Sequence, residues 1–181
     1  MIRPVFREAL IGRFLLILRV IWAALGLAVF VYGALGVWLT RTMKPVFPSD
    51  VVAVLTPALY AVAIVTALLT VWRRRALDPE RLVAAASAAP TLGMGGAQQA
   101  GLAPESDEER RALGVMARLM AQSIPLWAMS ESLALYGLLL SVGTADARHV
   151  IGLGAATLVL LGMYAPSHGR LEAALAAMSP R

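Results

Sequence analysis

Apolar and polar positions alternate along this chain in long blocks rather than residue by residue. The first apolar block runs from Phe14 to Leu39 and is broken only by Arg19. Others run from Val51 to Trp72, from Ile124 to Val142 and from Val150 to Ala165. A helix needs ~20 apolar residues to cross a hydrocarbon core of ~30 Å. The pattern therefore predicts an all-α integral membrane four-helix bundle of two hairpins, with spans at about 20–40, 51–72, 124–142 and 150–165.

The segments between the blocks set the boundaries. Arg3, Arg7 and Arg13 precede the first span, and Pro4 suits a first helical turn. A secretory signal peptide is the rival reading, but its apolar core is only ~7–15 residues and precedes a soluble protein. Here the run is longer and membrane-like sequence follows, so the first span is expected to be retained behind an amphipathic lead-in. Pro45 and Pro48 break the chain after it. Arg73, Arg74 and Arg75 end the second span and open the long polar connection, residues 73–121. Within it, Asp78, Pro79 and Glu80 read as a helix start. Pro90 to Pro104, rich in glycine and glutamine, reads as a flexible linker. Ser106 and Glu109 have capping-box spacing, and Leu113, Met116, Leu119 and Met120 share one helical face. That amphipathic helix is expected to lead directly into the third span, past Pro125. Gly143 to His149 reads as a tight turn, and Leu171 to Met178 as a short C-terminal helix.

Composition agrees with this layout. Hydrophobic residues make up 59% of the 181, with mean hydropathy +0.73, against ~45–50% in soluble domains. The net charge of +5 comes from residues flanking apolar blocks, which argues for membrane orientation and against nucleic acid. Cysteine is absent, which excludes disulfides and thiolate chemistry. The predominance of arginine over lysine and the abundance of alanine suggest a bacterial source. Twelve basic residues lie in the N-terminal segment, the long connection and the C-terminus, and three (Arg41, Lys44, Arg148) in the two short turns. The positive-inside rule then places both termini and residues 73–121 in the cytoplasm of a bacterial inner membrane.

One residue requires a reason. Glu131 falls near the middle of the third span, where an ionisable group costs roughly 2.5–3.5 kcal/mol to insert. Such groups face the bundle, pair with polar neighbours or carry ions. Ser130, Tyr60 and Thr157 are the candidate partners. Glu131 is read either as interhelical glue or as a reversible proton or cation site, or else the span is shifted and Glu131 faces water. The stretch Glu131-Ser-Leu-Ala-Leu-Tyr136-Gly137-Leu138 resembles the outer helix of the proteolipid (c-ring) subunits of rotary ATPases, over residues 118–142. There, a mid-membrane carboxylate is followed by small or apolar residues, an aromatic and a glycine. The resemblance implies ion binding at Glu131 and close packing at Gly137. The preceding span, Val51 to Trp72, has no glycine where that family's helix has several.

Gly137, Gly152 and Ala156 are candidate positions of close helix approach, within one chain or between copies. Arg73, Arg74 and Arg75 are the candidate topology signal and lipid-headgroup contact. His149 and His168 lie at opposite ends of the spans, so no joint metal or cofactor site is expected. No nucleotide-binding, zinc-protease or nucleophile motif is present. The sequence thus predicts a non-enzymatic membrane subunit with a polar or ion-binding centre at Glu131, its partners the lipid bilayer and a second copy or another membrane protein. Two alternatives stand beside it: a proton- or cation-translocating proteolipid-like subunit or channel, and a membrane adaptor that binds a cytoplasmic partner through residues 73–121.

Overall fold

The computed structural model describes residues 2–88 and 104–178, so the linker expected at 90–104 lies outside them except for Pro104. Every regular element among the described residues is helical. They are α1 (Pro4–Thr42), α2 (Ser49–Arg73), a 3₁₀ turn (Arg74–Leu77), α3 (Pro79–Ala88), α4 (Asp107–Thr144), α5 (Arg148–Met163) and α6 (His168–Ala176). Pro4 and Pro79 each open a helix, as a residue with fixed φ and no N–H can. Ser106 caps α4 by accepting the Glu109 N–H at 3.2 Å. Pro125 does not interrupt α4, which runs 38 residues, or about 57 Å.

Among the described residues three helices are long and apolar enough to cross a membrane: α1, α2 and α4. The fourth span expected at about 150–165 falls on α5, which has the same length and starts two residues earlier. α5 has 16 residues, about 24 Å, and is by itself shorter than these three. The chain divides into two compact units. A basic unit comprises the described parts of Met1–Ile21, Arg73–Pro125 and Pro166–Arg181, and an apolar unit comprises Trp22–Trp72 and Leu126–Ala165.

The basic unit is held together by an apolar core that several helices share. Phe6, Leu10, Ile11, Phe14, Leu15 and Leu18 are buried at helical spacing, while Arg7, Arg13 and Arg19 are exposed. Leu113, Met116 and Leu119 of α4 and Leu171 and Leu175 of α6 are buried too, and α3 packs on α6 with Leu82 inside. Met120, expected on the same face, is only partly covered.

In the apolar unit the core belongs to α4 and α5. Trp127, Leu133, Leu140, Leu153 and Leu161 are buried, whereas α2 buries only Ala63 and Thr70. Leu27, Phe30, Val31, Val54, Ile64 and Leu68 are exposed on α1 and α2. Apolar surface this extensive is compatible with a membrane or another protein as its neighbour. The order of contacts fixes helix direction. Trp22 of α1 reaches Leu161 and Gly36 lies against Val150, so α1 and α5 run antiparallel. Trp127 of α4 reaches Tyr164 and Gly137 lies against Val150, so α4 is also antiparallel to α5 and parallel to α1.

The turn between α4 and α5 differs from expectation. Gly143 remains helical beneath the Phe47 ring, which a Cβ there would meet, and the left-handed position is instead taken by Ala145, at φ 55°.

Candidate functional site

The polar side chains of the apolar unit divide into those that serve their own helix and those that join helices. Ser130 donates to the Leu126 carbonyl at 2.9 Å and Thr157 to the Leu153 carbonyl at 2.9 Å, each one turn back along its own helix. Tyr60 meets Nδ1 of His149 at 2.9 Å. None of the three hydroxyls expected beside Glu131 therefore reaches it. The group that does is the Tyr32 hydroxyl of α1, which donates to Oε1 of Glu131 at 3.0 Å. Tyr32 lies 99 positions earlier in the chain, and only the parallel arrangement of α1 and α4 identifies it.

Glu131 is partly exposed, at the seam between α1 and α4. Interpolation between the Trp127–Tyr164 and Gly137–Val150 contacts sets it about level with Leu158 of α5. Among the described residues its second oxygen, Oε2, has no hydrogen-bond partner. The carboxyl is thus anchored on one side and open on the other. Such a group can hold a proton or accept a further donor.

The ends of α5 are joined to other helices. Val150 N–H donates to Ser141 Oγ at 2.9 Å. At the other end the Trp22 indole donates to the Leu161 carbonyl at 2.8 Å and the Trp127 indole to the Tyr164 carbonyl at 3.1 Å. A helix leaves such end groups without partners of its own. Trp38 and Trp72 are exposed at span ends, as interfacial residues are, but Tyr164 is buried.

Of the glycine and alanine positions, Gly137 is buried, and a Cβ there would stand 2.8 Å from the His149 carbonyl oxygen and 2.9 Å from Val150 Cα. Gly152 is different. It is exposed, with nothing within 4 Å of a Cβ, so it mediates no close approach within the described chain. Ala156 is partly covered. Arg73 ends α2, Arg74 and Arg75 begin the 3₁₀ turn, and all three are exposed.

A second polar constellation lies in the basic unit and is only half visible in the sequence. Glu109 is 1% exposed. It accepts from Arg3 Nε at 2.8 Å, Arg3 Nη2 at 3.1 Å and the Glu105 N–H at 2.8 Å. Arg3 also pairs with Glu105 at 2.6 Å. The Arg3 guanidinium holds the Glu109 carboxyl well below the usual carboxylate range, at about 2, with burial opposing and the Glu105 amide assisting. Reciprocally, Arg3 is raised. The capping box predicted the local half of this node, whereas the arginine arrives from 106 positions away.

Comparison with protein families, with characterised proteins and with solved structures yields no match to this chain.

Proposed function

We propose that this protein is a non-enzymatic, four-span subunit of a membrane assembly, with Glu131 as its polar centre. The observation that carries the reading is the Tyr32–Glu131 hydrogen bond, which joins two long helices of the apolar unit. A carboxyl group at mid-depth is costly unless it is engaged, and this one joins α1 to α4. The fourth span in this reading is α5, helped by its capped ends. Both termini and residues 73–121 lie on the cytoplasmic side of a bacterial inner membrane. Supporting that orientation, Arg3, Arg7, Arg13, Arg73–Arg75, Arg81, Arg110, Arg111, Arg118 and Arg170 all belong to the basic unit, while Arg41, Lys44 and Arg148 belong to the apolar one. Single cysteines introduced into this cysteine-free chain test the topology. Positions 44 and 146 should react with an impermeant maleimide from outside and position 75 only after permeabilisation.

The second reading is exchange of a proton or cation at Glu131, and the free Oε2 favours it. The proteolipid-like motif at 131–138 points the same way. Carbodiimide labelling separates the two. Labelling of Glu131 that sodium or high pH suppresses would support exchange, and absence of labelling at every pH would leave only the packing role. The adaptor reading must use surfaces other than Leu82, Leu113, Met116 and Leu119, which are buried within the basic unit.

A further inference from the structure

The α4 segment Leu126–Thr144 leaves two polar atoms without partners among the described residues. Ser130, Ser132 and Thr144 donate to carbonyls of α4, Ser141 accepts from Val150, and Trp127 donates to Tyr164. Glu131 Oε2 and the Tyr136 hydroxyl remain. Both side chains are partly exposed. Between them on the helix surface lies an outward stripe of Ala128, Ser132, Leu135, Leu139 and Val142. Its spacings of four and three are those of the seam positions of a left-handed helix pair. Leu135 and Leu139 are 43% and 45% exposed, while Ala128 and Ser132 are small enough for close approach.

Relative to that seam, Glu131 and Tyr136 occupy the two flanking positions, one on each side. They cannot meet on one helix, because five residues carry them about 140° apart around it. In a parallel pair they come together reciprocally, the flank of one helix facing the opposite flank of the other. The five-residue offset, about 7.5 Å along the axis, is shortened by the lean of the Tyr136 side chain toward the helix N-terminus. We propose that two copies of this chain associate in parallel through the 128–142 face of α4. In that pair each Tyr136 hydroxyl donates to Glu131 Oε2 of the second copy. A second copy is the occupant that supplies both missing groups at once. The inference rests on α4 being a span and names the partner that the assembly reading left open.

Single cysteines at 128, 132, 135 and 139, with 64 and 68 on α2 as controls, test it in native membranes. Oxidation should give disulfide-linked homodimers from the α4 positions and little from α2. Tyr136→Phe removes both symmetry-related hydrogen bonds and should weaken the dimer roughly sevenfold, read by subunit exchange between differently labelled copies. Cross-links through 64 and 68 alone, adducts to a different protein at 132, or a Tyr136→Phe dimer of unchanged affinity would each overturn the proposal. Impermeant maleimide distinguishes the two failures. Labelling of intact protein at 132 and 135 would refute the span itself, whereas protection without cross-linking would refute only the dimer.

Discussion

Gly137→Ala tests the closest approach in the apolar unit. A methyl group there would stand 2.8 Å from a carbonyl oxygen, 2.9 Å from a Cα and 3.1 Å from Leu153 Cβ. Two of these are backbone atoms of α5, so no side-chain rotation relieves them and the helices must separate. Overpacking of this kind costs roughly 1–3 kcal/mol. Alanine also gains helix propensity over glycine, by up to ~1 kcal/mol, so the raw effect mixes two terms of opposite sign. Gly152→Ala separates them. It lies on α5, with nothing within 4 Å of a Cβ, and should show the propensity gain alone. The difference between the two variants then isolates the steric cost, a factor of roughly 5–150 in the unfolding equilibrium. Gly36→Ala should fall between them, because its near contacts, at 2.8 and 3.2 Å, are atoms of the Val150 side chain. The assay is detergent-titrated unfolding followed by tryptophan fluorescence, and all four tryptophans belong to the apolar unit. Equal stability of Gly137→Ala and Gly152→Ala would refute the reasoning, since it would mean that α4 and α5 do not meet as described.

Two further predictions concern local structure. The Glu109 carboxyl, held at about 2 in the folded chain, releases its proton more readily there than when unfolded, where carboxylates titrate near ~4.3. Its contribution is therefore complete above the unfolded value and lost as pH falls toward about 2. Hydrogen exchange in residues 107–111 should rise over that window, and Glu109→Gln should flatten the response. Ala145→Gly removes the strain of a left-handed alanine, ~1–2 kcal/mol, less the extra freedom glycine gives the unfolded chain, ~0.4–1 kcal/mol. It should stabilise the hairpin by about 0.5–1 kcal/mol in the same unfolding assay, and destabilisation would contradict the backbone assignment.

The all-helical architecture and three membrane-length helices were legible because each arises from contiguous residues. Runs of ~20 apolar side chains, a proline at a first turn and a capping box are local signals. The long α4 was legible for the same reason, since Asp107 to Val142 keeps a helical pattern past Pro125. What the sequence hides is pairing at a distance. Tyr32 and Arg3 carry no mark that directs them to Glu131 and Glu109, 99 and 106 residues away. Tyr60, expected beside Glu131, pairs with His149 instead. Gly137 and Gly152 look alike in sequence, yet one lies under α5 and the other faces outward. Periodicity can indicate which residues share a face, but the facing partner follows only from helix order and direction.

The division of labour among the helices follows from how their polar atoms are satisfied. α1 and α2 present mostly apolar side chains outward, and lipid suffices as their neighbour. α5 is shorter than these helices, and Ser141, Trp22 and Trp127 reach its ends from α4 and α1. The α4–α5 hairpin is thereby fixed by directional bonds as well as by packing. Within it, five of the seven polar side chains on α4 from Trp127 to Thr144 have their hydrogen-bonding needs met inside the chain. The two that do not, Glu131 with one free oxygen and Tyr136, flank the only outward stripe on that helix. A random scatter of unmet groups would favour water access or a shifted span. Their placement on either side of one seam instead favours a second helix. The same geometry connects the packing and exchange readings of Glu131, because a partner that covers Oε2 also controls whether a proton can reach it. If the dimer forms, carbodiimide labelling of Glu131 should increase in Tyr136→Phe.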